Sequence, residues 1–419
     1  MTQIKEYLLE MNPWWKEEFK LDYKEREIYK QIKKYIQLKQ IIALTGLRRV
    51  GKTTLMMKIA NDAIVSGIAS QNIMYFSFDE FKDYKLKQLI DEYKSITKSD
   101  IKTQKCVIFL DEIQKLQNWE EQLKTLYDLH NKNLKIIISG SESLFIKKKS
   151  KETLAGRLFE FKINSLTFRE YLNFKNIKIK NIELYEKELE NLFENFIKTL
   201  GFPELTDITD KDIIKKYVKE SIIEKIIYRD IPTITKIKDM ALIERIVNTI
   251  SENLGQIIEI NKYSKELGVS RQSLSNYLYY LEASYLIRKL YNYSKNKRRT
   301  ERKLKRYYPT LISPILLFNE DNLTKSKVFE TTIVNQLEAE FFWRDQYKNE
   351  VDIILCNKKI TPIEVKYGKI DTKGIIIFMK QNNIKEGYIL TKNKEETIKI
   401  NNKTIKTIPA YKYILNYKK

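Results

Sequence analysis

The chain has 419 residues, 42% of them hydrophobic and 12% aromatic, and at about 150 residues per domain it should hold two to four domains. Glycine (11) and proline (7) are too scarce for long flexible linkers, and no run of about 18 apolar residues exists that would span a membrane. The net charge of +22, from 77 basic and 55 acidic residues, favours a polyanionic partner, nucleic acid being the simplest. Much of that excess is spread evenly through a chain rich in Lys, Ile, Asn and Tyr, and the clustered basic residues KNKRRTERKLKR (Lys295–Arg306) carry more meaning.

In chain order, residues 1–35 read as amphipathic helices around Trp14 and Trp15. IIALTG is a short apolar run ending in a glycine turn, and TTLMMKIANDAIVSG is a helix closed by Gly67. NIMYFSF, CVIFLDE and KIIISGS are further apolar runs separated by helical sequence. Continuous apolar strands alternating with helices predict a parallel sheet covered on both faces, so residues 1–165 form an α/β domain. Residues 166–238 read as helical, with a break at Gly201–Leu205. Residues 239–293 read as helix, a turn at Gly268, a second helix from Ser270, then a β-like tail. A basic linker (294–306) leads to short β-rich segments with one helix over 307–419. Cys106 and Cys356 are expected as small buried residues of strands. His130, the single histidine, excludes a histidine-based zinc cluster and argues against a Ser-His-Asp triad. The N-terminal segment is charged and lacks a signal-peptide core, so a soluble, cytoplasmic protein is expected.

GLRRVGKTT (Gly46–Thr54) fits G-x-x-x-x-G-K-[ST] between a strand and a helix, the context the motif demands. The backbone N–H groups of Gly46, Arg49, Gly51 and Thr54 would close around phosphates, helped by the helix dipole. Lys52 should reach the β- and γ-phosphates, and the Thr53 hydroxyl should bind Mg²⁺. CVIFLDEIQ supplies Asp111 for the metal and Glu112 to orient the attacking water. The Asp-Glu pair, with no NKxD-type guanine reader, favours ATP over GTP. Ser139 or Ser141, at the end of KIIISGS, is a candidate γ-phosphate sensor, an ordinary strand-end turn being the alternative. Arg157 is a candidate transition-state arginine, in cis or on a neighbouring subunit of a homo-oligomer, or else a surface ion pair. Arg48 and Arg49 add positive charge at the loop. Asp79-Glu80 would contact water or metal, or cap the next helix.

NPWW, the Glu-Arg before a helix, TGLRRVGKTTL, IMYFSFDE, VIFLDEIQ, SGSES, LAGR, TFREYL, GFPEL and YRDIP together resemble the archaeal AAA-type ATPases of the STAND-related branch. The resemblance covers nearly the whole chain and is most specific in the P-loop half. It implies an AAA+-like P-loop NTPase sheet, a helical lid, a winged helix and a small C-terminal α/β domain like the PD-(D/E)XK nucleases.

In the C-terminal part, PIEVKYG puts Glu364 and Lys366 on one face of a strand, and NEVDIIL puts Glu350 and Asp352 on one face of the preceding strand. Glu330 lies on the upstream helix. A helix carboxylate, a strand Asp and E-x-K is the PD-(D/E)XK arrangement, in which Glu330, Asp352 and Glu364 would hold a second Mg²⁺ or Mn²⁺ and Lys366 would orient water. In the helix-turn-helix, Ser270 is the N-cap, Arg271, Gln272 and Ser273 could meet phosphates or base edges, and Leu274, Leu278 and Leu281 are core. The expectation is a Mg²⁺-dependent ATPase that engages DNA and controls a C-terminal metal-dependent nuclease. The alternative is a nucleotide-dependent switch or scaffold whose C-terminal fold only docks a partner.

Overall fold

Strands buried on both faces need helices on both sides, and the apolar runs of the first half meet that need in a computed structural model of the protein. The structure describes residues 3–81, 84–140, 153–234, 239–296, 298, 300 and 304–417. They divide into two units, Met1–Ser165 and Leu166–Lys419.

The first unit opens with α1 (Gln3–Met11) and α2 (Glu27–Ile36). Then follow β1 (Ile41–Thr45), α3 (Lys52–Val65), β2 (Ile73–Ser77), α4 (Leu86–Thr97), β3 (Cys106–Asp111), α5 (Trp119–His130) and β4 (Leu134–Gly140). A fifth strand, β5 (Leu158–Lys162), was not expected: LFEFK is half-buried throughout, without the continuous apolar run that marks the other four. The sheet order is β2-β3-β4-β1-β5, every pair parallel. The edge at β2 is covered by the segment after α1. Asn12 exchanges hydrogen bonds with the Tyr75 backbone, and the Trp14 and Trp15 indole N–H groups both donate to Ile73 O. An exposed row of strand donors and acceptors is thereby satisfied. Gly67, in the left-handed region at φ +94°, closes α3 as expected, its N–H donating to Ile64 O.

The second unit begins with α6 (Phe168–Phe174), α7 (Glu186–Thr199) and α8 (Lys211–Lys216). Wider π-type turns carry the chain from Tyr217 to Asp230, and α9 (Met240–Glu252) follows. Next come β6 (Gln256–Ile258), α10 (Ile260–Glu266), α11 (Arg271–Ala283), β7 (Ile287–Asn292) and β8 (Lys305–Pro309). The remainder is α12 (Asn322–Gln336), β9 (Phe341–Arg344), β10 (Glu350–Cys356), β11 (Ile360–Lys366), α13 (Lys373–Gln381), β12 (Glu386–Thr391), β13 (Glu396–Ile400), β14 (Lys403–Pro409) and α14 (Ala410–Asn416). All nine strands form one mixed sheet, β13-β14-β12-β11-β10-β9-β7-β8-β6. The strands of 239–293 and those of 307–419, read separately in the sequence, therefore share a sheet. They join where β7 runs parallel to β9, and the Asn292 side chain pairs with the Arg344 backbone at that seam. One expectation fails at a strand end: Cys106 is buried, but Cys356, the last residue of β10, is exposed.

Candidate nucleotide site and C-terminal carboxylate cluster

The loop between β1 and α3 needs backbone that most residues resist. Gly46 has φ +147°, and a Cβ there would stand 2.1 Å from Ile163 O. Gly51, at φ +94°, caps α3 from the left-handed region. Arg49 also sits at positive φ (61°) and is exposed. Lys52 is buried, and its ammonium donates to Gly46 O (3.1 Å) and Leu47 O (2.8 Å), across the mouth of the loop. Thr53 and Thr54 follow on the first turn of α3, both exposed.

Sheet order brings the rest of the site to this loop. The Thr53 hydroxyl donates to Asp111 Oδ2 (2.7 Å), and so does the Tyr75 hydroxyl (2.8 Å). Asp111 Oδ1 accepts from the Ser139 hydroxyl and from the Glu112 N–H (3.0 Å). A carboxylate that is 4% exposed is thus held by four donors from α3, β2, β4 and its own strand end. Burial and the Asp111 charge push the Tyr75 hydroxyl far above its ordinary pKa, so it remains a donor. Glu112 adopts φ +52°, a conformation costing about 1–3 kcal/mol for a residue with a Cβ. Gln114 Nε2 holds its Oε2 at 2.7 Å.

Two further residues, neither singled out by a motif, act at this site. Tyr75 belongs to the apolar run NIMYFSF. Arg26, which precedes α2, is 5% exposed. Its guanidinium donates to Val50 O (2.7 Å) inside the loop and to Asn164 O (2.7 Å) beyond β5. It buttresses the phosphate loop from behind.

Of the alternatives for Arg157, the structure shows the ion pair. β5 runs parallel to β1 with Leu158 opposite Ile41 and Lys162 opposite Thr45, so Arg157 lies at the sheet end away from the loop. The length of β1, about 13 Å, separates the two ends, too far for the side chain to span in its own chain. The guanidinium instead pairs with Asp128 on α5, Nε to Oδ1 at 2.8 Å. Asp79 forms an ion pair with Lys115. Ser141 lies outside the described residues.

In the second unit, Glu330 from α12, Glu350 and Asp352 from β10, and Glu364 and Lys366 from β11 come together. β10 and β11 pair antiparallel. Val365 N–H donates to Asp352 Oδ2 (2.9 Å), and Lys366 Nζ donates to Glu364 Oε1 (2.7 Å). Burial foremost, and the Asp352 charge, raise the carboxyls of Glu330 to about 7 and Glu364 to about 8. The expected metal shell of Glu330, Asp352 and Glu364 is not what the fold assembles. Among the described residues no three such side chains are grouped to hold a metal. The cation among them is Arg306 of β8, which pairs with Glu330, Glu350 and Asp352. Tyr308, two residues along the same strand, donates to Glu330 Oε1 (2.7 Å). Arg306, counted among the clustered surface charges, is turned inward.

In α11 the Ser270 hydroxyl accepts from Ser273 N–H (3.0 Å), while Leu274, Leu278 and Leu281 are buried. Arg271 and Gln272 are exposed, tied to Asn261 and Asn276 respectively. Of the basic stretch, Lys295 and Arg298 are exposed; Lys297, Arg299, Arg302 and Lys303 lie outside the described residues.

Comparison with known proteins adds the following. Residues 38–172 match a family model described as an AAA domain. Residues 190–310 and 325–413 match two models described as domains of unknown function, DUF8612 and DUF4143. An uncharacterized protein of Methanocaldococcus jannaschii is 29% identical over 407 residues, covering 90% of this chain and 89% of the relative. A second from that organism is 27% identical over 440 residues, covering 93% and 90%. An uncharacterized protein of Haemophilus influenzae is 29% identical over 277 residues, covering 64% and 66%. Among solved structures, the Aeropyrum pernix ORC2 protein in ADPNP-ADP complexes matches at 13% identity and a TM-score of 0.38, over 77% of this chain and 92% of that one. No helix among the described residues is long and apolar enough to cross a membrane. The parallel sheet, the loop between β1 and α3, and the AAA-domain match over residues 38–172 together give the first unit the P-loop AAA-type fold.

Proposed function

We propose that the protein binds ATP with Mg²⁺, hydrolyses it, and couples nucleotide state to DNA. The observation that carries this reading is the convergence of Lys52, Thr53 and Asp111 at the end of β1 and β3. The donor set suits a metal-bound triphosphate: a buried ammonium, a helix N-terminus, and a hydroxyl paired with a carboxylate. Thr53 and Asp111 are the residues that would hold Mg²⁺, whose charge would offset that developing on the phosphates. Lys52 neutralises the phosphates, and Glu112, oriented by Gln114, positions water. Ser139 links Asp111 and Glu112, since its Oγ also accepts from the Glu112 N–H (3.3 Å). The loop N–H groups from Gly46 to Thr54 cradle the phosphates. For Arg157, only a nucleotide bound by a neighbouring subunit would be within reach.

DNA contact is assigned to a winged helix made of α10, α11, β7 and β8. The net charge of +22 and the exposed Arg271 and Gln272 at the start of α11 support it. The test is ATP turnover with Mg²⁺, with and without duplex and branched DNA, beside Lys52→Ala. DNA-stimulated turnover lost in that variant is expected. A wild-type protein that binds no nucleotide sinks the proposal. The second reading, a slow switch with a docking module at its C-terminus, is favoured by Arg306 sitting among the carboxylates. It moves ahead if nucleotide survives purification and DNA changes nothing.

A further inference from the structure

We infer that the cavity between α7, α12 and the segment 316–320 binds a small aromatic anion the size of a nucleoside monophosphate, its charge toward Lys198 and Lys211 and an amino edge toward Glu190 and Glu194. The site lies wholly in the second unit, so the inference is independent of ATP binding at the phosphate loop.

The cavity holds about 290 Å³, at the small end of the roughly 300–1,000 Å³ that ligand pockets span. Its floor is apolar: Phe193, Leu317, Val328, Phe329 and Tyr411 line it and are all buried. Aromatic rings furnish much of the lining. Phe329 meets Phe193 and Tyr367 edge-to-face, with centroids 6.3 and 5.5 Å apart. Such a lining suits a flat ring, which can add to the same edge and face contacts.

Charge around this floor is unevenly distributed. Glu190, Glu194 and Lys198 line the cavity along one stripe of α7, each about 6 Å further along its axis. At the first end two carboxylates share one ammonium: Lys392 Nζ lies 2.7 Å from Glu194 and 3.4 Å from Glu190. At the other end Lys198, Lys211 and Lys325 share Glu320. Lys325 donates to it at 2.8 Å, and that bond foremost, then the charges of Lys211 and Lys198, hold the Glu320 carboxyl below its ordinary range. Lys198 and Lys211 pair with no carboxylate among the described residues, and the Lys211 ammonium lies 5.8 Å from the ring centroid of Phe318. An anion completes the basic end, and a hydrogen-bond donor suits the acidic end. Phe193 and Ile197 lie between the two ends along α7, so the matching ligand carries its charge, an apolar ring and an amino group in that order.

The test is isothermal titration calorimetry of the full chain with adenosine monophosphate, beside adenosine and inorganic phosphate. The monophosphate should bind most tightly of the three. Lys198→Gln with Lys211→Gln should weaken it about tenfold or more. Lys262→Gln with Lys265→Gln, which removes as much charge from exposed positions of α10, should leave it unchanged. Inosine monophosphate, with a carbonyl where adenine has its amino group, should bind less tightly than adenosine monophosphate. Binding should persist in Lys52→Ala, which disables the phosphate loop. Where the Lys198 and Lys211 variant fails to fold, Lys198→Gln alone is read the same way with a smaller loss. Monophosphate binding absent from the wild type, unchanged in the Lys198 and Lys211 variant, lost in Lys52→Ala, or matched by phosphate or adenosine alone would overturn the site. Equal affinity for inosine monophosphate would overturn the orientation assigned to the ligand.

Discussion

Replacing Asn12 with alanine should destabilise the first unit by about 2–4 kcal/mol. Asn12 is fully buried, and its side chain makes three hydrogen bonds. Nδ2 donates to Leu8 O (2.8 Å) and Tyr75 O (2.9 Å), and Oδ1 accepts from Tyr75 N–H (2.6 Å). At a net value of about 1 kcal/mol each these sum to about 3 kcal/mol. Tyr75 N–H and C=O face outward from an edge strand, so their loss of partners adds to the cost and entering water subtracts from it. The assay is urea unfolding followed by tryptophan fluorescence, because Trp14 and Trp15 flank the site and anchor on the same strand. The midpoint of the first unit's transition should fall with its slope unchanged. Asn12→Asp keeps the acceptor but removes the donors and buries a carboxylate, so it should be at least as damaging. A change below about 0.5 kcal/mol in Asn12→Ala would refute the view that this side chain completes the sheet edge.

Arg26→Ala leaves Val50 O and Asn164 O without charged donors, each such bond being worth about 1.5–3 kcal/mol. ATP affinity measured with a fluorescent analogue should fall, and unchanged affinity in a folded variant would remove Arg26 from the site's support. Because Glu330 and Glu364 have carboxyl pKa values raised on folding, the folded second unit binds more protons than the unfolded chain between about pH 4.5 and 8. Their contribution is fully present below that window and is lost as pH rises through it. Glu330→Gln should lessen the fall seen in urea midpoints between pH 5 and 8, and an equally steep fall would dissociate Glu330 from it. DNA binding should weaken steeply with salt, and Arg271→Ala should weaken it further at every salt concentration. Salt-independent binding, or no effect of Arg271, would exclude α11 as the contact.

The phosphate loop was legible in the sequence because its determinants are local. A buried strand, glycines that tolerate positive φ and a helix starting at Lys52 are contiguous, and each reports its own backbone. The two-helix element with its Ser270 cap and buried Leu274, Leu278 and Leu281 was legible for the same reason. Strand order was not. It places Tyr75 and Ser139 on Asp111, and it puts Arg157 at the opposite end of the sheet from the loop it was thought to serve. β5 was missed because a half-buried edge strand lacks the apolar run that marks a central one. The carboxylates of the C-terminal cluster could be listed from spacing along two strands and a helix. Their cation could not, because Arg306 reads as the last charge of a basic stretch. Only the pairing of β8 with β7, and of β7 with β9, turns that guanidinium toward residues 330, 350 and 352. Periodicity along a chain says which face of a strand a side chain occupies; what waits on that face is decided by segments far away in sequence.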